Sequence, residues 1–235
     1  MASITDWINA ITAIVIAVVA IIAIFQDKIR GWLLRPVLHI SISMTPPDCH
    51  KIKSWIPLPA GRENSTNPVH LEADVYYFRL RIDNSGNQKA ESVEVMAIQL
   101  LRQTADGSFK PVETFLPMNL VWSHTHEMFF PAISPGTFKH CDLAHVVNPQ
   151  QRALFELEDD TWPNISREQT ILGFDTIVRP VTKNNLVGPG KYRLSLIVAA
   201  ANSKPITKKL EITLTGHWYD DEQKMLEEGI GIRSL

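Results

Sequence analysis

The chain has 235 residues, with 23 Lys and Arg against 25 Asp and Glu, for a formal charge of −2. So even a balance leaves no electrostatic case for nucleic acid as a partner. Two cysteines, Cys49 and Cys141, exclude a disulfide framework and fit a reducing compartment, and fifteen scattered prolines argue against a helical bulk.

Ile8 to Phe25 reads INAITAIVIAVVAIIAIF, an apolar run without a charge. As a helix rising about 1.5 Å per residue it reaches roughly 27 Å, close to the hydrocarbon thickness of a bilayer. A cleaved secretory signal is the rival reading, with Val18-Val19-Ala20 as a passable cleavage site, but no basic segment precedes the run. Asp6 lies before it, whereas Lys28, Arg30 and Arg35 follow it, offset by Asp27. The positive-inside rule then predicts a single-pass inner-membrane protein, N-terminus outside and large domain cytoplasmic. Residues 1–36 form the anchor and its juxtamembrane segment, and 37–235 the domain; Arg35-Pro36 is a natural stop for the helix.

At 100° per residue Asn9 and Thr12 share one stripe of the span, with Ala13, Ala17 and Ala20 beside it. Small and polar residues of this kind suit a seam for self-association, or for a partner's membrane helix. The plainer reading is that alanine is common in spans and Asn9 sits at the interface.

After the linker the apolar pattern changes to period two, which predicts β structure. Leu38, Ile40, Ile42 and Met44 alternate with polar residues. So do Tyr76, Phe78, Leu80 and Ile82, ahead of a turn at Asn84-Ser85-Gly86. In Ser92–Leu101 the apolar phase steps from Val93 and Val95 to Ile98 and Leu100, as a β-bulge would make it do. Arg152–Leu157 and Gly173–Val178 read as further strands. Tyr192–Val198, a turn at Asn202–Pro205 and Leu210–Leu214 read as a hairpin. Asp220 to about Glu228 reads as a short final helix, with Met225 and Leu226 against the sheet, Gly229 at its end and Trp218 as a cover.

Tyr77-Phe78-Arg79-Leu80-Arg81-Ile82-Asp83-Asn84-Ser85-Gly86, followed by Ala90-Glu91-Ser92-Val93-Glu94-Val95, resembles the strand–turn–strand of bacterial immunoglobulin-like modules of the CARDB type. Leu186-Val187-Gly188-Pro189-Gly190-Lys191-Tyr192 resembles their Pro-Gly-x-Tyr approach to a late strand, at the place of the tyrosine corner of sandwich domains. The resemblance implies an immunoglobulin-like β-sandwich used for adhesion or binding, with long insertions at 45–72 and 103–185. It carries over no catalytic residues. Such modules usually lie outside the cell, so the predicted orientation departs from their pattern.

Candidate chemistry concentrates in Asn119–His145, where four of the eight histidines fall. His124 and His126 on a strand would point to one side, and Cys141 with His145 would complete a tetrahedral zinc set if the loop folds back. The alternative is that Trp122, Phe129 and Phe130 anchor a loop whose histidines bond to backbone. A nucleophilic Cys141, with His124 or His145 as base and Asp142 as orienter, is a further option. Pro46–Pro68 reads as a loop, with Trp55, Ile56 and Leu58 as binding residues. Asn64-Ser65-Thr66 and Asn164-Ile165-Ser166 match the glycosylation sequon, which a cytoplasmic domain would not use.

Three functions stay open on this basis. The first is a membrane-tethered, non-enzymatic interaction or scaffold module with a protein partner and no cofactor. The second is an oligomerising membrane effector of the bacterial immunity type, sensing through its β domain. The third is a zinc-dependent hydrolase built on the histidine and cysteine cluster.

Overall fold

A computed structural model describes residues 3–56, 71–155 and 166–235. Helix α1 (Ile4–Leu33) opens on a reciprocal cap, in which Ser3 Oγ accepts from the Asp6 N–H and Asp6 accepts from the Ser3 N–H. Ile4–Gln26 has a mean hydropathy of 2.9 and buries no side chain against the rest of the chain. Its 23 residues rise about 34 Å, so it is long and apolar enough to cross a membrane.

Two antiparallel sheets follow. The first runs β1 (Leu38–Ser41), β3 (Leu71–Asn84), β9 (Thr137–Val147), β10 (Leu172–Phe174), β11 (Leu186–Val187). On it, β2 (Cys49–Ile56) shares with β1 one edge of β3, and β7 (Val121–Trp122) pairs with β9. The second runs β14 (Ile230–Ser234), β13 (Ser203–Leu214), β12 (Gly190–Ala200), β4 (Ala90–Gln103), β5 (Phe109–Pro111), with β6 (Met118–Asn119) and β8 (Phe130–Ile133) on β4. Alternate side chains from both sheets make one core. Phe78, Leu80 and Ile82 meet Val93, Val95, Leu194, Leu196 and Ile212, each fully buried. The domain is therefore an all-β sandwich, as the period-two pattern predicts.

Register confirms the phase step in β4. Ser195 pairs with Gln99 and Leu196 with Ala97, leaving Ile98 as the extra residue of a bulge. The predicted hairpin is β12–β13, turning at Ala201-Asn202. Tyr192 closes a corner as well: its hydroxyl donates to the Gly188 carbonyl at 2.8 Å.

Other expectations need correction. Arg152–Leu157 is not a strand; α2 (Pro149–Phe155) occupies its described part. Asn148 accepts from the Gln150 N–H at 3.0 Å, and Pro149 at the first helical position needs no donor. The strand read over Gly173–Val178 is confined to Leu172–Phe174. Pro46–Pro68 is not wholly a loop, since Cys49–Ile56 forms β2; lysines at 51 and 53 mask its alternation. Lys51 lies at the sheet rim, where Asp74 and Asp220 pair with it at 3.3 and 3.1 Å. The final helix is present over Glu222–Gly229, but only α3 (Glu222–Lys224), capped by Asp221, is α-helical, and Met225–Gly229 continues it as a π-helix. Met225 is buried, and Trp218 covers Tyr76 with ring centres 5.0 Å apart.

One junction joins the helix to this sandwich. Asn84, 1% exposed, accepts from the Val37 and Gly86 N–H groups and donates to the Gln88 and Ile133 carbonyls. Arg35 exchanges two bonds with Asn87, through its own N–H to the Asn87 side chain and its carbonyl to the Asn87 N–H. The turn lies so close to the emerging chain that a Cβ on Gly86 would stand 2.3 Å from the Arg35 carbonyl oxygen. Gly86→Ala is accordingly expected to cost about 1–3 kcal/mol in thermal or denaturant unfolding of the full chain in detergent. Gly231→Ala, whose Cβ meets nothing within 4 Å, stays within about 0.5 kcal/mol of wild type.

Candidate functional site

The four residues read as a metal set do not converge. His124 and His126 lie in the turn after β7 rather than on a strand, both exposed, at φ 71° and 55°. That turn closes when the His126 N–H donates to the Trp122 carbonyl at 3.1 Å. Cys141 and His145 are on β9, but a bulge separates them. Phe78 pairs with Ala144 and Arg79 with Asp142, so Leu143 is supernumerary and the facing reverses beyond it. Cys141 thus points into the core opposite Leu80, and His145 points outward beside Tyr77. Among the described residues no group of three His, Cys, Asp or Glu side chains is placed to hold a metal ion.

The nucleophile reading meets the same obstacle. Burial pushes the Cys141 thiol well above the usual range, and its Sγ donates to the Val121 carbonyl at 3.3 Å. Asp142, its neighbour, faces the other side of the strand. On α1, Asn9, Thr12, Ala13, Ala17 and Ala20 are all exposed, and Thr12 Oγ1 donates to its own helix at the Ile8 carbonyl. Of the expected binding loop, Trp55 and Ile56 are the last residues of β2, paired with Glu72 and Leu71. Leu58 and the asparagines of both sequons lie outside the described residues.

What the fold does assemble is a polar band across the outer face of the first sheet. Tyr77, Arg79, Arg81 and Asp83 of β3 stand opposite His145, Asp142, His140 and Phe138 of β9. Arg81 bonds Asp83 at 2.9 Å and lays its guanidinium 3.7 Å from the Phe138 ring centre. His140 Nε2 lies 3.0 Å from Asp48, whose other oxygen accepts from the Ser43 N–H. Arg79 and the Ser123 hydroxyl both donate to Asp142 Oδ1, at 3.2 and 2.5 Å. His145 Nδ1 lies 2.7 Å from Asp175. Gly173, the β10 partner of His145, leaves room for the ring, because a Cβ there would come within 2.9 Å of it.

Desolvation governs the electrostatics of this band. Burial raises the Asp142 carboxyl above its ordinary value despite the Ser123 bond, and Asp175 adds to the rise. Burial lowers His50, with Arg79 adding to the effect, and its Nδ1 is enclosed without a hydrogen-bond partner. Tyr77 is pushed up to about 12 by burial and by Asp175. Chemically, the band holds imidazole–carboxylate and guanidinium–carboxylate pairs. The Ser123 hydroxyl donates to a carboxylate and not to an imidazole.

Sequence reading missed His50, Asp48 and Asp175 as members. The alternation of Tyr77, Arg79 and Arg81 marked an outward face, but the partners come from strands whose register no local pattern announces. The second sheet carries a smaller counterpart. Glu211, with its side chain 5% exposed, is 3.1 Å from Lys191, 3.6 Å from Arg193 and 2.5 Å from Arg233. Burial works to raise its carboxyl, but the Lys191 and Arg233 hydrogen bonds outweigh it and the net shift is downward. Comparison with family models, curated proteins and solved structures finds no match to the chain.

Two outcomes follow from the buried groups. Cys49, pushed up to about 12 by burial and then by Asp48, and Cys141 stay inert to a thiol reagent at pH 8 until denaturant is added. Glu211, with a depressed value, contributes stability in full above the ordinary glutamate range, and this is lost as pH falls towards the lower folded value. Glu211→Gln therefore costs about 1–2 kcal/mol at pH 7, discounted because its cations are partly in water, and flattens the acid limb of the stability profile.

Proposed function

We propose that the chain is a membrane-tethered, non-enzymatic interaction module that presents an immunoglobulin-like sandwich at the cytoplasmic face. The observation that carries this reading is the junction at Arg35–Val37, which is hydrogen-bonded into the β3–β4 turn with Leu34 alone between it and the end of α1. The junction leaves the sandwich no free linker, so a domain carried by α1 is held directly beside the span. The basic residues Lys28, Arg30 and Arg35 after the span support the inward orientation. The Tyr192–Gly188 corner supports the immunoglobulin-like assignment.

The polar band supports recognition over catalysis. Its carboxylates are engaged by guanidinium, imidazole and hydroxyl groups, and its more exposed end at Arg81, Asp83 and Phe138 offers a patterned surface to a protein partner. In intact spheroplasts a C-terminal tag is expected to resist added protease and to be cut after lysis. A chain lacking Ile4–Phe25 is expected to leave the membrane fraction. Digestion of the tag in intact spheroplasts would refute the orientation, and wild-type chain in the soluble fraction would refute the tether.

A further inference from the structure

The end of the sandwich from which α1 departs holds an open groove of about 880 Å³. One wall is the linker Arg35–Leu38, and the other is the β12–β13 turn with the start of β13, 201–206. Val37, Leu38, Pro205 and Ile206 make it apolar, and Arg35 and Lys204 place cations on either side. Neither cation forms an ion pair among the described residues, and both are exposed.

Both walls are braced by the same element. Asn202 accepts from the Glu91 N–H at 3.0 Å and donates to the Lys89 carbonyl at 2.8 Å, while Arg35 is bonded to Asn87. The groove is thus fixed before anything binds, which lowers the ordering cost of occupancy. Lys89, two residues after Asn87 and exposed, adds a further cation beside this turn.

Position decides the ligand. The apolar stretch ends at Gln26 and the helix at Leu33, a rise of about 11 Å, so the groove starts near the outer edge of the headgroup layer. From the two unpaired cations flanking an apolar trough at that depth, we propose that the groove binds the headgroup of an anionic phospholipid. The phosphate sits between Arg35 and Lys204, the headgroup beyond it lies over Val37, Leu38, Pro205 and Ile206, and the acyl chains stay in the bilayer. This inference rests on the tether reading.

The test is native mass spectrometry of the full chain released from detergent micelles containing phosphatidylglycerol, phosphatidylcholine or inorganic phosphate. Wild type is expected to retain phosphatidylglycerol in preference to phosphatidylcholine. Each of Arg35→Gln and Lys204→Gln lowers that retention about fivefold, and the double variant falls to the phosphatidylcholine level. Because both side chains are exposed, the variants fold as wild type, which circular dichroism verifies. Equal retention of the two lipids, an unaffected double variant, or displacement of phosphatidylglycerol by inorganic phosphate would each overturn the proposal. Cell fractionation separates the two ideas. Membrane-bound chain without lipid preference removes the groove alone, and soluble wild type removes both.

Discussion

The buried amide of Asn84 is the constraint on which the arrangement depends. Its four hydrogen bonds reach three separate segments: the emerging linker, its own turn, and the end of β8 at Ile133. Its carbonyl adds a fourth attachment, accepting from the Gly136 N–H at 2.8 Å. A buried side-chain amide is costly unless it is paired, so the site is stable only when all these segments are in register together. Hydrophobic burial supplies most of the stability, but it is indifferent to which loops meet at one end. Asn84 and the missing side chain of Gly86 make that choice.

The two faces of the first sheet then follow from a single supernumerary residue. Before Leu143, odd positions of β9 enter the core; after it, even positions do. Asp142 and His145, three apart, therefore share the outer face, where Arg79 and Asp175 engage them. The same step separates Cys141 from His145. Cysteine and histidine four apart in sequence were plausible partners only on an unbroken strand.

Much of the sandwich was legible because period-two burial is a local signal. Val93, Val95, Ile98 and Leu100 even disclosed their bulge, since a phase step shows in sequence whenever both sides of it are apolar. The Leu143 bulge was illegible for the opposite reason. Leu143, Ala144, Val146 and Val147 are all buried, because a small second cluster of Ala73, Val75 and Val147 lies on the outer face. With apolar residues on both sides, alternation disappears. In β2 the lysines at 51 and 53 hid the strand, since their charge is satisfied by distant carboxylates at the rim. The polar band was half visible: Arg79 and Arg81 announced an outward face, but Asp48, Asp142 and Asp175 come from other strands and loops. Asn148-Pro149 was a readable helix start, outweighed by apolar residues that suited a strand equally well.

The closeness of the Arg35 attachment to the end of α1 also sets how far the protein can search. A flexible leash would let a domain roam; here Leu34 alone separates the helix from the first anchored residue. The longest strands have 14 residues, about 46 Å end to end, and under the proposed tether this length bounds how deep into the cell the sandwich extends. Under that tether encounters are confined to a thin layer beside the membrane, so companions that diffuse along the same surface meet it far more often than those dispersed through the whole volume.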